Sequence, residues 1–230
     1  MGVPVADVVR AHKHLSYVPG DVSVWPQLTG AETLHLLGSL SGRVDGAFRD
    51  ELIERLRFDP SKRARAYSKG NRQKIALIAA FMTRPDVLLL DEPTAGLDPL
   101  MEAEFQSLTR EAAGRGQTVF LSSHLLDEVE DLCDRVAILR DGSLIEVATL
   151  EELRRLRTIT YEALLDGPVP SLAGLPGVTS VEPIRNGVRV GVTGPPTAVL
   201  AALAAVPLRQ LRSSEPSLED IFLTYYEGAR

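Results

Sequence analysis

The run Val87-Leu88-Leu89-Leu90-Asp91-Glu92-Pro93 constrains this chain more than any other feature. A short, continuous apolar run is the pattern of a parallel-sheet strand buried on both faces. A strand of that kind delivers whatever follows it to the crevice at the carboxyl edge of the sheet, where ligands bind in open α/β folds. Here two adjacent carboxylates follow. Taken alone they read as solvated groups at a strand end; their neighbours decide otherwise.

Those neighbours alternate helix and strand. His14–Pro19 reads as a short strand ending at Gly20. Thr29-Gly30-Ala31-Glu32 is a capping box opening a helix with Leu34, Leu37 and Leu40 on one face. A second amphipathic helix is expected from about Ala47 to Arg57, with Phe48, Leu52, Ile53 and Leu56 inward. Ser68 caps a helix through Met82, stopped by Arg84-Pro85. Pro99 opens another helix, and Thr118–Ser122 reads as a second buried strand before His124 and an acidic helix, Leu125–Cys133. Asp141-Gly142-Ser143 marks a hairpin, and Thr149–Glu152 caps a short helix.

Beyond Arg157 the character changes. Residues 158–230 carry 12 of the 56 charged groups and no lysine. A domain boundary is therefore expected at about Arg157, giving domains 1–157 and 158–230. The second stretch reads as strand 158–165, helix 171–175, strand 178–184, strand 188–192, helix 196–205, strand 208–213 and helix 218–226. Asn186-Gly187 reads as a type I′ turn. The order β-α-β-β-α-β is that of a ferredoxin-like unit.

Composition removes several classes. The 230 residues are 44% hydrophobic and 24% charged, ordinary for a globular protein. No stretch approaches the roughly 18 apolar residues of a membrane span. One cysteine, Cys133, excludes an internal disulfide framework or a cysteine zinc cluster. A net charge of −6 argues against a nucleic-acid partner held by overall charge. The four lysines are Lys13, Lys62, Lys69 and Lys74, and none follows a glycine. These residues thus contain no loop of the form G-x-x-x-x-G-K-[ST].

Four local features carry the chemistry. Asp91 suits Mg2+, held directly or through water, and Glu92 is placed to orient or deprotonate a water attacking a γ-phosphate. Tyr67-Ser68-Lys69-Gly70-Asn71 offers a hydroxyl and bare N–H groups at a helix N-terminus. Gly70 allows close approach to the backbone there, and Lys69 adds charge. Ala95-Gly96-Leu97-Asp98-Pro99 is a tight turn with Asp98 beside a helix start. His124 stands just past a strand, where a neutral imidazole reaches a phosphate and a water. Each has a plain structural reading: a helix cap, a turn, a strand-end histidine.

In their order and spacing these residues resemble the nucleotide-binding domain of ABC transporters. YSKGNRQKIALIAAFMTRPDVLLLDEPTAGLDP is similar to the signature motif, its helix, the Walker B strand, the catalytic Glu and the D-loop. VFLSSH resembles the H-loop, and DRVAILRDGSLI the strand pair after it. The resemblance covers roughly Val3 to Arg157. The tail Pro216–Phe222 is similar to that of drug-exporter ATPase subunits of the daunorubicin-resistance type.

The resemblance implies an α/β fold: an ABC-type P-loop core, truncated, with a mostly parallel sheet and a helical subdomain at about 29–82. A small α+β ferredoxin-like domain follows it. It implies ATP and Mg2+ as ligands and a head-to-tail dimer with a second nucleotide-binding subunit. A membrane permease, met by the segment Thr29–Tyr67, is the further partner, with the chain on the inner face of the cell membrane. Ser68, Lys69, Gly70 and Asn71 would meet the partner's nucleotide; Asp91 would serve Mg2+, Glu92 the attacking water and His124 the γ-phosphate. Asp98 would link the two sites. Three departures stand out. Tyr67, Lys69 and Asn71 differ from the commonest signature, LSGGQ. Gly20 stands where the Q-loop usually has Gln or Glu, with Asp21 as the substitute. The Walker A loop is absent from these residues, and its strand is expected beside Val87–Leu90, which would then lose a neighbour. Weak ATP binding and no turnover by this chain alone are therefore expected. The chain reads either as a shortened copy of a normal subunit or as a short subunit lending its signature face to a complete partner.

Overall fold

The structure, a computed structural model, describes residues 4, 6–155, 158–214 and 218. It divides into two compact units, Met1–Leu132 and Cys133–Arg230. The charge-poor stretch after Arg157 lies wholly inside the second.

The first unit runs α1 (Val8–Ala11), β1 (Leu15–Val18), α2 (Gly30–Ser41), α3 (Gly46–Arg55), α4 (Lys69–Phe81), β2 (Val87–Asp91), α5 (Pro99–Gly114), β3 (Thr118–Ser122) and α6 (Leu126–Leu132). Its sheet is parallel, in the order β1-β2-β3. β2 is central: Leu15–Val18 pair with Val87–Leu90 on one edge, and Thr118–Ser122 pair with Val87–Asp91 on the other. The expectation that Val87–Leu90 loses a neighbour is therefore corrected. The short strand before Gly20 takes the edge that was thought vacant.

Burial also departs from the expected pattern. In β2 Leu88 and Leu90 are fully buried, while Val87 and Leu89 are half-buried, so only one face is closed. β3 is less covered still. Val119 and Leu121 pack against the core, whereas Thr118, Phe120 and Ser122 are exposed. It is the terminal strand of this sheet, and among the described residues its outer face stays exposed.

The helices form for the reasons their sequences give. Thr29 and Glu32 close a reciprocal capping box, with Thr29 N donating to Glu32 Oε2 at 2.7 Å. Asp45 caps α3 by accepting from Phe48 N, and Ser68 caps α4 by accepting from Asn71 N. The buried stripe of α2 is Gly30, Thr33, Leu34 and Gly38. Leu40 is 73% exposed, against expectation. Steps of three residues drift around a helix of 3.6 residues per turn, and two such steps carry position 40 off the stripe. One cluster gathers Leu34, Phe48, Leu52, Ile75, Ile78, Phe81, Leu88, Leu90 and Phe105. Each such side chain contributes roughly 1.5–3 kcal/mol by leaving water. Phe81 meets Phe105 edge to face, centroids 6.5 Å apart.

The second unit opens with a hairpin, β4 (Arg135–Arg140) and β5 (Ser143–Thr149), then α7 (Leu150–Arg155). Asp141 (φ 50°) and Gly142 (φ 74°) are both left-handed, as a type I′ turn requires. Then follow β6 (Ile159–Leu165), β7 (Val178–Ile184), β8 (Gly187–Val192), α8 (Thr197–Ala204) and β9 (Leu208–Ser214). The sheet is antiparallel in the order β7-β8-β6-β9, the strand arrangement expected of a ferredoxin-like unit.

Two local expectations fail here. Residues 171–175 form turns, not a helix; Pro170 and Pro176 flank them, and Gly174 and Gly177 are left-handed. The β7–β8 turn is Arg185-Asn186, not Asn186-Gly187: Ile184 pairs directly with Gly187, and Asn186 alone takes φ 61°. Gly187 serves packing, since a Cβ there would collide with the Ala163 carbonyl of β6. The expected helix 218–226 lies outside the described residues except for Leu218.

Candidate functional site

The carboxyl ends of β2 and β3 bring three predicted residues together. Asp91 ends β2 and Glu92 follows it. Glu92 is a non-glycine residue at φ 43°, sparsely populated backbone that the surroundings must hold. Its amide donates to the Ser122 carbonyl at 3.0 Å, and its carbonyl accepts from Ala95 N at 3.1 Å. That twist turns the Glu92 side chain toward the residue beyond β3. Its Oε1 lies 3.2 Å from Nδ1 of His124. Both side chains are open to solvent, His124 the more so.

Asp91 is held from two sides. The Ser122 hydroxyl donates to Oδ1 at 2.5 Å, and the Tyr17 hydroxyl approaches Oδ2 at 3.4 Å. Register explains both: Asp91 pairs with Ser122 across β2–β3, and Tyr17 lies on β1, the other neighbour of β2. One carboxylate flanked by hydroxyls is a donor set that suits Mg2+, which uses one or two carboxylates and otherwise keeps water or phosphate oxygens. Gly20 faces the same group, with a Cβ there standing 3.6 Å from Oδ2. Asp21 is exposed, and among the described residues no hydrogen bond joins it to Asp91.

The second group forms around the start of α4. Ser68 Oγ accepts from Asn71 N at 3.3 Å and from its side-chain Nδ2 at 3.2 Å. Ser68 and Lys69 are exposed. Gly70 packs on the turn before α5: a Cβ at 70 would collide with the Gly96 carbonyl, and one at Gly96 would press on the Lys69 stem. Asp98 caps α5, accepting from Leu100 N and Met101 N at 3.1 Å each. Lys74, one turn further into α4, is held below the ordinary lysine range by burial, against the pull of Asp98. A buried hydrogen bond joins the two groups: Gln73 Nε2 of α4 donates to the Pro93 carbonyl, next to Glu92, at 2.9 Å.

Some participants were not foreseen. Ser122 and Tyr17 follow from strand register, which a single sequence does not reveal. Glu128 is buried on α6, with Oε2 accepting from Ser123 Oγ at 2.5 Å and from Thr94 Oγ1 at 3.4 Å. Burial holds its carboxyl above the ordinary glutamate range, against the lowering pull of those hydroxyls. Its one visible signal is its place beside Val129 on the inner side of an acidic helix.

A strand-end carboxylate pair with a histidine on the neighbouring strand's loop, and a capped helix entry linked to it through Gln73, are the arrangement expected of the nucleotide-binding-cassette class. The comparisons agree. The ABC transporter family model matches residues 3–95, and the model of the C-terminal domain of DrrA1-3-like ATP-binding proteins matches residues 149–226. An uncharacterized ABC transporter ATP-binding protein of Alkalihalophilus pseudofirmus is 33% identical, over 91% of this chain and 82% of the relative. The daunorubicin resistance ATP-binding protein DrrA3 of Streptomyces coeruleorubidus is 35% identical, over 86% and 67%. A solved ATP-binding subunit of an ABC transporter superposes with a TM-score of 0.61 at 29% identity, covering 67% of each chain. A dimeric ATP-binding cassette holding ADP and Pi shares the fold, at a TM-score of 0.56 and 20% identity. The chain belongs to the family of ABC transporter ATP-binding proteins. Among the described residues no helix is long and apolar enough to cross a membrane.

Proposed function

We propose that this chain is the ATP-binding subunit that energises a membrane exporter of drugs or other small molecules. It works on the inner face of the cell membrane as half of a head-to-tail dimer and docks on an integral permease. The observation that carries the reading is the contact between Glu92 and His124 beside Asp91. Glu92 orients and deprotonates the water that attacks the γ-phosphate, and His124 holds that phosphate and the water in line. Asp91 would hold Mg2+, which would supply positive charge to offset that of the phosphates. Ser68, Lys69, Gly70 and Asn71 present a helix N-terminus to the nucleotide of the facing subunit, and Asp98 spans the two sites. Asp21 is an auxiliary Mg2+ contact. The nucleotide-handling domain is taken as 1–157, with its helical subdomain at about 29–82, and the ferredoxin-like domain as 158–230.

A second reading is favoured by one sequence fact: Ser68 and Gly70 are intact, yet these 230 residues hold no Gly-Lys pair. In that reading the chain lends its signature face to a complete partner, or regulates it, without hydrolysing ATP. Both readings meet in one experiment. A homologue with a Walker A loop is disabled at its own signature serine and mixed with this chain. Restored ATP hydrolysis, lost again with Ser68→Ala, supports the composite site; no restoration overturns it. Steady turnover by this chain alone would overturn the second reading.

A further inference from the structure

Glu128 has no part in the chemistry above, yet it is one of the few charged residues the fold buries, at 5% exposure. Burying a carboxyl is unfavourable unless its hydrogen bonds are made, and Oε1 has no partner among the described residues. Something must justify keeping it. Its other oxygen receives two hydroxyls from different loops. Ser123 is the residue before His124, and Thr94 is the second residue after Glu92. One oxygen atom is therefore the junction between the loop that carries Glu92 and the loop that carries His124. Ser123 Oγ is fixed from the other side by the amide of Leu125 at 3.0 Å, so His124 sits between two anchored residues.

We propose that Glu128 is a positioning residue that holds the Glu92 and His124 loops at hydrogen-bonding distance by accepting the Thr94 and Ser123 hydroxyls in a single oxygen. The inference rests on the reading of Glu92 and His124 as the reacting pair. Acceptance by oxygen, not negative charge, does the holding. Both hydroxyls donate to Oε2, and an amide oxygen in the same place accepts them in the same way. Glutamine therefore keeps the function, and leucine of similar bulk loses it.

The pair can be read without hydrolysis, from imidazole 15N shifts of the labelled 230-residue chain. A carboxylate beside Nδ1 keeps the proton there, whereas a solvated imidazole favours Nε2–H. Among the described residues two histidines have such a partner: His124 with Glu92, and His14, whose Nδ1 lies 2.6 Å from Asp86. His14 is an internal control far along the chain from Glu128. The expected result is Nδ1–H on both histidines in the wild type and in Glu128→Gln. In Glu128→Leu, His124 moves to the Nε2–H form and His14 stays. Should Glu128→Leu disturb His14 as well, the double variant Thr94→Val with Ser123→Ala replaces it and must move His124 alone. An unmoved His124 in Glu128→Leu or in the double variant, or a Gln variant that behaves like Leu, overturns the proposal. A wild-type His124 lacking the Nδ1 proton removes the reacting pair itself, which is a different failure. Inability of the chain to turn over ATP touches neither.

Discussion

Gly70 and Gly96 meet backbone to backbone: the α-carbon of Gly70 faces the carbonyl oxygen of Gly96 with no room for a methyl group. The first turn of α4 therefore rests on the turn that precedes α5. Gly70→Ala must push the two apart. Overpacking of this kind costs about 1–3 kcal/mol. Urea denaturation of the variant should show the loss, and an unchanged midpoint would mean that the loop yields freely.

Arg55 on α3 is the clasp between the helical segment and α5. Its guanidinium donates to Glu104 Oε1 at 2.5 Å, to both oxygens of Glu111 at 2.6 and 3.0 Å, and to Glu51 at 3.1 Å. Hydrogen bonding to Glu111 leads the causes that hold this arginine protonated. Arg55→Ala strands two carboxylates on α5 and should cost about 2 kcal/mol. Arg55→Lys should recover only part of it, because a compact ammonium with three donors lacks the planar, five-donor fork that meets Glu104, Glu111 and Glu51 at once. Chemical denaturation of both variants ranks them.

Glu128 sets a pH dependence of stability. Its pKa in the fold lies above the ordinary 4.5, with burial the first cause. Between those two values the native state binds more protons than the unfolded chain, so this group's contribution is full below about pH 4.5 and is lost as pH rises through the folded pKa. Glu128→Gln has no such group. The stability of the Gln variant relative to wild type should therefore grow as pH rises from about 4.5 through the folded pKa. A constant difference would show that Glu128 is solvated.

Asp45 works in the opposite sense. Its carboxylate accepts the Phe48 amide at the start of α3 and pairs with Arg84 at 2.8 Å, which together hold its pKa below 3.8. Its contribution is complete above the ordinary value and is lost as pH falls through the folded one. Asp45→Asn keeps a cap but not the charge. The gap between wild type and variant should thus close on acidification, measured by thermal unfolding at a series of pH values.

What the sequence made legible is what local chemistry dictates. The capping residues Thr29 and Ser68 sit where short-range hydrogen bonding puts them, and the strand ends that carry Asp91 and His124 follow from where apolar runs stop. The meeting of Glu92 with His124 was accessible because neighbouring parallel strands open on the same edge. Register was not accessible. The pairing of Asp91 with Ser122, the one-residue offset of the Asn186 turn and the occupied edge of β2 all depend on which strands lie side by side. The exposure of Phe120 has the same origin, since periodicity names a face but not what covers it; Leu40 differs, because the 3.6-residue turn itself carries it off the buried stripe of α2. Glu128 was hidden for a further reason: a carboxylate on an acidic helix looks solvated until tertiary contacts enclose it.

The buried amide bridge from Gln73 to the Pro93 carbonyl gives α4 a fulcrum one turn inside its exposed tip. Whatever grips that tip from outside must pull against the very bend that presents Glu92. Under the proposed function, contact at that tip and the placing of Glu92 share one buried bridge, so Gln73→Leu should weaken their coupling while leaving both side-chain groups in place.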